Sequence, residues 1–224
     1  MSAQSSELQE LKDELLIATL PHIVFDGWSN ESLNAGSISL GKGAGYAYSL
    51  FSDPVRELVA HFSNWADRKM LDNLNTVELG SLKVRDRISL SIKCRLENLS
   101  DHKEAITRSF LYSSPRSLYK TVDTIWRNAG DSSVDFNFYT KRMLLTAVLT
   151  STTTFWLADK SEGHQETWAF LDRRIENVMQ IPKLNMFFQS KIEKCFERFK
   201  NKSCLLYTSP SPRDRTRSRM PSSA

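Results

Sequence analysis

The fold is decided by residues 123–142, which run DTIWRNAGDSSVDFNFYTKR. A helix that starts at Ser114-Pro115 ends in this stretch, because glycine commonly ends a helix and Gly130 stands where the apolar spacing stops. Residues 131–135 are short and polar, which suits the loop that caps a following helix. Residues 136–158 form the most apolar segment of the chain, and we expect one long helix there. The stretch therefore predicts two helices joined by a tight polar loop.

Working outward, apolar residues recur at helical spacing along almost the whole chain. We expect a first helix from a capping-box pattern at Ser6, which Pro21 bends or ends. Two short helices with glycine turns follow within residues 29–51, and Pro54 opens the next helix. Strand signals are nearly absent. The prediction is an all-α fold of about nine to ten helices.

Composition is ordinary for a globular protein. The 224 residues include 30 basic and 26 acidic side chains, a net charge of +4, and 40% are hydrophobic. There is no apolar run of 18 residues, so no membrane-spanning helix is expected. The sequence shows no secretory signal, and its acidic first 14 residues are unlike a mitochondrial transit peptide. Three cysteines with unrelated spacing indicate neither a disulfide framework nor a zinc site.

The last segment, residues 204–224, has a different composition. Serine, proline and arginine dominate it, and we expect it to be disordered. Residues 204–214 also resemble a translated sequencing adapter, so we interpret the segment as an artefact of sequence assembly. Its four arginines and one aspartate contribute +3. Residues 1–203 therefore carry only +1, and net charge gives no argument for nucleic-acid binding.

No catalytic or metal-binding pattern stands out. The sequence has no HExxH or GxSxG motif, and the glycine-rich Gly41–Gly45 segment lacks the ending of a phosphate-binding loop. We interpret that segment as a turn between short helices. The four histidines occur in unrelated contexts, so we predict no metal, no cofactor and no catalytic residue.

Residues 6–62 resemble the helix-turn-helix head of TetR-type regulators. An aromatic short helix with Tyr46, Tyr48 and Phe51 precedes an Asp-Pro-Val-Arg-Glu-Leu helix start. DNA affinity comes largely from lysine and arginine at phosphates. Residues 29–62 contain two cations and three anions, so the head has the shape of a DNA-binding module without its charge. We expect no nucleic-acid binding, and keep a ligand-responsive regulator as the alternative.

Three motifs resemble the coenzyme Q (ubiquinone) biosynthesis accessory family, whose members are lipid-binding proteins with a TetR-like fold. The resemblance covers about residues 10–181. Its motifs are Trp126 with Ala129-Gly130-Asp131, Asp135-Phe136-Asn137-x-Tyr139-Thr140, and Thr167-Trp168-x-Phe170-Leu171-x-x-Arg174.

The resemblance implies a protein that is not an enzyme. It implies binding of isoprenoid quinone lipid intermediates and their presentation to the demethoxyubiquinone hydroxylase, a di-iron enzyme. By position, the hydroxylase-binding patch would contain Asp123, Ile125, Phe138 and Tyr139. The alternative is that these aromatic residues belong to the core. However, one helix face cannot bury three aromatics within residues 136–139, so at least one should be exposed.

Residues 63–181 would form the lipid-binding helical body. Candidate pocket residues lie on the apolar faces of two helices, and they are Ile88, Ile92, Leu96, Met143, Leu144 and Ala147. From the sequence alone these positions suit an ordinary core equally well. A homodimer through residues 136–158 and 164–180 is implied only by analogy with the fold.

Residues 182–203 predict an amphipathic helix at a membrane surface. Six basic and two acidic residues oppose an apolar face between residues 183 and 202, a pattern suited to anionic lipid. The residues assigned to membrane contact are Leu184, Phe187, Phe188, Ile192, Phe199, Lys191, Lys194 and Arg198. The alternative is a helix packed on its own domain or on a partner subunit.

The resemblance also implies a location. Family members work on the matrix side of the inner mitochondrial membrane, where this chain would be peripheral. A bacterial relative would work in the cytoplasm at the inner membrane face.

Overall fold

The computed structural model describes residues 2–112, 114–130 and 136–178, and within them the structure is all-α without β-strands. This confirms the predicted fold class. The nine helices of this described part are α1 (Ser2–Asp26), α2 (Asn30–Ser39), α3 (Tyr46–Leu50), α4 (Pro54–Leu74), α5 (Val84–Glu97), α6 (Lys103–Ser109), α7 (Pro115–Asn128), α8 (Phe136–Ala158) and α9, which covers residues 165–178. Single 3₁₀ turns stand at Leu79–Ser81, Ser100–His102 and Glu162–His164.

Helix α1 differs from the sequence expectation in two places, at its start and at Pro21. It begins at Ser2, before the predicted cap at Ser6, and it continues through Pro21. Proline leaves the carbonyl four residues earlier without its helical partner. That carbonyl belongs to Ile17, whose residue is 54% exposed, and Pro21 is exposed as well. Water can therefore reach the freed carbonyl, and the buried side of the helix is uninterrupted.

Helices α2 and α3, which lie within the segment predicted to form the head, pack on α1 and α4. Helix α2 begins with a reciprocal capping box between Ser29 and Ser32. The turn after α2 ends at Gly45, whose φ of 93° lies in the left-handed region that favours glycine. As expected, the glycine-rich segment is a turn between two short helices. The described helices up to Glu176 belong to one compact unit.

Helix α4 lies at the centre of this unit, where it packs against α1, α5 and α7. Its Leu58 and Met70 are fully buried, as are Ile92 of α5, Ile125 of α7 and Trp156 of α8. Burial of one such side chain stabilises the fold by about 1.5–3 kcal/mol. Residues of α4, α5, α7 and α8 therefore all contribute to the buried core.

The start of α9 depends on Asp159. Its carboxylate accepts hydrogen bonds from the backbone N–H groups of Ser161 (2.8 Å) and Thr167 (3.0 Å), and from the hydroxyl of Thr167. The Thr167 hydroxyl is the main cause that holds the pKa of the Asp159 carboxyl well below its usual range. The threonine of the third family motif thus acts in fixing the turn between α8 and α9.

Candidate functional site

A cavity of about 330 Å³ lies between α4, α5, α6, α7 and α8. Cavities that hold small molecules measure roughly 300–1,000 Å³. Most of the wall is apolar, and its larger apolar members include Val59, Phe62, Ile106, Phe110, Leu118 and Leu149. The cavity can therefore hold a small, largely apolar ligand, or one part of a longer one.

The cavity has a polar wall on α4, α5 and α7. Arg95 lines it, and the Nε of Arg95 donates to Asp67 Oδ1 at 2.8 Å. Arg95 Nη2 donates to the hydroxyl of Ser63 at 3.2 Å, and the hydroxyl of Thr121 donates to Asp67 Oδ2 at 2.8 Å. Both charged side chains are nearly inaccessible to solvent, at 11% and 8% exposure. An ion pair of this kind needs its hydrogen bonds, because neither charge is solvated by bulk water.

The mouth of the cavity lies at the connection between α6 and α7. Phe110 and Tyr112 line the cavity and are also exposed. Leu111 between them is 89% exposed. Thr150, an exposed residue of α8, borders the cavity as well. An apolar ligand that projects from the mouth would therefore meet further apolar side chains.

The six residues predicted to bind lipid do not line this cavity. Ile88, Ile92 and Leu96 are buried in the core, where α5 packs against α4 and α7. Met143 is 75% exposed and Ala147 is exposed, whereas Leu144 is half-buried. This corrects the expectation that the apolar faces of α5 and α8 enclose a pocket. The apolar face of α5 belongs to the packed core, whereas Met143 and Ala147 lie on the exposed face of α8. Lipid contact by these residues stays a prediction.

The predicted patch at the α7–α8 corner is only partly on the surface. Ile125 is fully buried, so its assignment to partner contact is corrected to the core. Asp123 is mostly buried and pairs with two arginines. Its Oδ1 accepts from Arg142 Nε at 2.8 Å, and its Oδ2 forms an ion pair with Arg127, whose Nε lies 2.8 Å away. Asp123 therefore stabilises the corner that places the patch.

The aromatic part of that patch matches the expectation that one ring is exposed. Tyr139 is 67% exposed, whereas Phe138 is half-buried under the guanidinium of Arg142, which lies 3.3 Å from the ring centroid. Tyr139, Met143 and Ala147 follow each other at four-residue spacing and are all exposed. We name these three residues the α8 stripe. It ends one turn before Thr150 at the cavity mouth.

A second cavity, of about 280 Å³, lies on the other side of α4 and has a mostly polar wall. His61 lines it, and His61 Nε2 lies 2.6 Å from Asp13 Oδ1. Asp13 also accepts from Arg68 Nη2. Burial lowers the pKa of His61, and this outweighs the opposite effect of Asp13. The cluster is a closed set of ion pairs rather than an opening for an apolar ligand.

Other features bear on chemistry and membranes. Across residues 2–112, 114–130 and 136–178, no group of three or more His, Cys, Asp or Glu side chains could hold a metal ion. In the same part of the chain no helix has the length and apolar character to cross a bilayer. Burial raises the pKa of the Cys94 thiol, the direction opposite to that of an activated nucleophile.

The membrane assignment falls on residues outside the described part. It comprises Leu184, Phe187, Phe188, Ile192, Phe199, Lys191, Lys194 and Arg198. The disordered tail expected at residues 204–224 lies outside it too. Both stay predictions from the sequence.

Residues 111–182 match the model of the COQ9 family, and this segment contains the α7–α8 corner. The chain is 30% identical to the "Probable ubiquinone biosynthesis protein coq9, mitochondrial" of Dictyostelium discoideum, over 83% of this chain and 64% of that protein. It is 28% identical to the human "Ubiquinone biosynthesis protein COQ9, mitochondrial", over 77% of this chain and 59% of that protein. The predicted family resemblance is confirmed. The COQ9-like chain thus spans about 60% of the length of these relatives.

A solved structure supports the TetR-like fold. A TetR transcriptional regulator from Nitrosomonas europaea superposes with a TM-score of 0.59, over 75% of this chain and 98% of that one. The two sequences are only 17% identical. The likeness therefore concerns the fold, and it confirms the predicted architecture of the COQ9-like chain.

The sequence analysis missed the residues that give the cavity its polar wall. Ser63, Arg95 and Thr121 are far apart in the chain and meet only in the folded bundle. A weak signal exists on α5, where Arg95 directly precedes buried Leu96 at the edge of the apolar face. An arginine beside an apolar face usually reaches solvent along that face. Only its partners on α4 reveal that the side chain of this arginine is nearly inaccessible to solvent.

Proposed function

We propose that this chain acts in ubiquinone biosynthesis as a non-catalytic lipid-binding protein. It binds isoprenoid quinone intermediates and presents them to the demethoxyubiquinone hydroxylase at a membrane. The observation that carries the proposal is the apolar cavity between α4, α5, α6, α7 and α8, in a chain with COQ9 relatives.

The physical task suits such a cavity. Removing one methylene group from water is worth about 0.8 kcal/mol, so a five-carbon isoprene unit gains about 4 kcal/mol. A polyprenyl quinone therefore stays in the bilayer unless an apolar enclosure replaces it. The cavity of about 330 Å³ is too small for a long polyprenyl chain, so it takes one part of the molecule. The exposed apolar residues at the mouth, Phe110 and Leu111, extend the apolar path outward.

Lipid extraction with matched variants tests the binding proposal. Ala60 lines the cavity, and Ala60→Phe would place a ring in it. Ala169→Phe makes the same change at an exposed position of α9 that does not line the cavity. After purification without detergent, mass spectrometry should find isoprenoid lipid in the wild type and in Ala169→Phe, and severalfold less in Ala60→Phe. Absence of isoprenoid lipid from the intact wild type would contradict the proposal.

The α8 stripe supports the partner part of the proposal. Tyr139 and Met143 expose large apolar side chains one turn apart, and exposed aromatic anchors commonly mark interfaces. Because the stripe leads to the cavity mouth, a hydroxylase docked there would lie next to the opening through which the ligand is released. Met143→Glu should weaken hydroxylase binding at least tenfold in a pull-down titration, whereas Val77→Glu, at an exposed apolar position outside the stripe, should not. Equal binding by all three proteins would refute this surface, and loss of a homodimer in Met143→Glu would assign the stripe to self-association.

The last part of the proposed function is contact of residues 182–203 with the membrane. Binding to liposomes that contain anionic lipid should be weakened by Phe188→Asp and by added salt. We place the protein at the matrix side of the inner mitochondrial membrane, in keeping with the mitochondrial names of its relatives. Liposome binding unaffected by either change would remove this part of the proposal.

The alternative function is a ligand-responsive transcriptional regulator. The TetR-like fold favours it. The charge of the head opposes it, since residues 29–62 carry two cations and three anions. A regulator predicts duplex DNA binding that weakens steeply with salt. A flat titration with duplex DNA at low salt would exclude this alternative.

A further inference from the structure

The polar wall of the cavity contains a guanidinium with unused donors. Arg95 donates one hydrogen bond from Nε to Asp67 and one from Nη2 to Ser63. Among the described residues its Nη1 makes no hydrogen bond. Arg95 lines the cavity, and its remaining N–H groups are the donors that we assign to an acceptor inside it.

The charge balance of the wall restricts the acceptor. Asp67 neutralises Arg95 at 2.8 Å, and both side chains are nearly inaccessible to solvent. An anionic ligand would leave a net negative charge in a poorly solvated site, which is costly. A neutral carbonyl, ether or hydroxyl oxygen adds no charge and accepts a strong, charge-assisted hydrogen bond. Ser63 and Thr121 hold the two charged groups in place, so the donor is preorganised.

Apolar side chains line much of the rest of the cavity. Among them are Phe62, Ile106 and Leu118, and Phe110 lies at the exposed mouth. We propose that the cavity binds the oxygen-bearing ring of a neutral prenylated quinone or phenol head-first. A ring oxygen accepts from Arg95, and the prenyl chain leaves past Phe110. This inference rests on the proposed lipid-binding function and adds the polarity and orientation of the ligand.

A pair of probes measures whether the oxygens are recognised. One probe is ubiquinone-2, a benzoquinone with two isoprene units, and the other is geranylbenzene, which has a ring and the same chain without ring oxygens. Equilibrium dialysis with mass spectrometry gives both affinities for the full-length chain. A hydrogen bond to a charged group predicts a preference of about 10- to 100-fold for the quinone in the wild type.

Variants then assign that preference to Arg95. The double variant Asp67→Asn/Arg95→Gln removes both charges together, so that neither charge stays buried alone. It should reduce the preference to within about threefold, while geranylbenzene binding is unchanged. Arg87→Gln is the matched control on the same helix, since Arg87 binds backbone carbonyls and does not line the cavity. Ser63→Ala removes the hydrogen bond that holds the Arg95 guanidinium in place, without changing a charge. It should lower the preference for the quinone severalfold, and it provides the test if the double variant does not fold.

Each outcome decides between the two proposals. A wild type that binds both probes equally, or a preference that persists in the folded double variant and in Ser63→Ala, would overturn the head-first orientation. The lipid-binding proposal would then still stand. A wild type that binds neither probe would instead remove the proposed function itself.

Discussion

Arg127 and Arg142 share the carboxylate of Asp123 at the α7–α8 corner, and replacing each in turn tests how burial affects their contribution to the free energy of unfolding. Arg142 contacts Asp123 Oδ1 from Nε at 2.8 Å and from Nη2 at 2.6 Å, and Arg127 Nε lies 2.8 Å from Asp123 Oδ2. Both are arginine–carboxylate ion pairs. They differ strongly in exposure, because the Arg142 side chain is 3% exposed and that of Arg127 is 73% exposed.

The structure gives different magnitudes for Arg142→Met and Arg127→Met. Removing one member of a buried pair costs about 3–5 kcal/mol. Arg142 also donates to the carbonyl of Phe138 at 3.2 Å and covers its ring. We expect a loss of about 3 kcal/mol in the free energy of unfolding, near the lower limit, since Asp123 keeps Arg127. The exposed Arg127 pair should contribute about 0–1 kcal/mol.

Urea denaturation followed by far-ultraviolet circular dichroism measures both values. For a chain of this size, 1 kcal/mol corresponds to about 2–4 °C in Tm. Thermal unfolding should therefore shift by roughly 6–12 °C for Arg142→Met and by at most about 4 °C for Arg127→Met. Equal losses in the two variants would refute the argument that the buried arginine contributes more to the free energy of unfolding than the exposed one.

Two further predictions concern the contacts of α1 with α4 and with α2. Because burial lowers the pKa of His61 below its ordinary value of 6.5, the unfolded chain binds a proton before the folded chain does, and stability should fall as the pH drops below about 6.5. His61→Gln should reduce this fall in urea titrations at pH 7.5 and 5.5, and an unchanged pH dependence would contradict it. A Cβ on Gly36 would overlap Thr19 Oγ1 and lie 2.9 Å from Thr19 Cα, so Gly36→Ala should cost about 1–3 kcal/mol. Gly43→Ala, which meets nothing within 4 Å, should be neutral or slightly stabilising, and similar stabilities for the two variants would refute the close approach of α1 and α2.

Local signals in the sequence were sufficient for the long helices. Helix α8 covers Phe136–Ala158, as its apolar content predicted, and α7 begins at Pro115 as expected. Helix α6 was missed because its seven residues hold only two buried apolar side chains, Ala105 and Ile106, too few to show a period. The prediction that Pro21 bends or ends the first helix was wrong, because the effect of a proline depends on which face of α1 it occupies. The local sequence does not reveal that face.

The site was harder to predict than the fold. Periodicity marks the face of α5 that carries Ile88 and Ile92 as apolar, but it does not separate a packed core from a cavity wall. The real cavity wall mixes apolar side chains with Ser63, Thr121 and Arg95, which meet through contacts between distant segments. Hydrophobic spacing cannot register such a wall, because several of its members are polar.

Photo-crosslinking tests the central claim, that the cavity binds a prenylated ring, most directly. A diazirine-bearing short-chain prenyl quinone would be irradiated with the full-length chain, and labelled peptides identified by mass spectrometry. The account predicts labels on the cavity-lining parts of α4 and α8, at or near Phe62 and Leu149, and their loss in Ala60→Phe. Labels confined to Met143 and Ala147 on the α8 stripe, or labelling unaffected by Ala60→Phe, would contradict it.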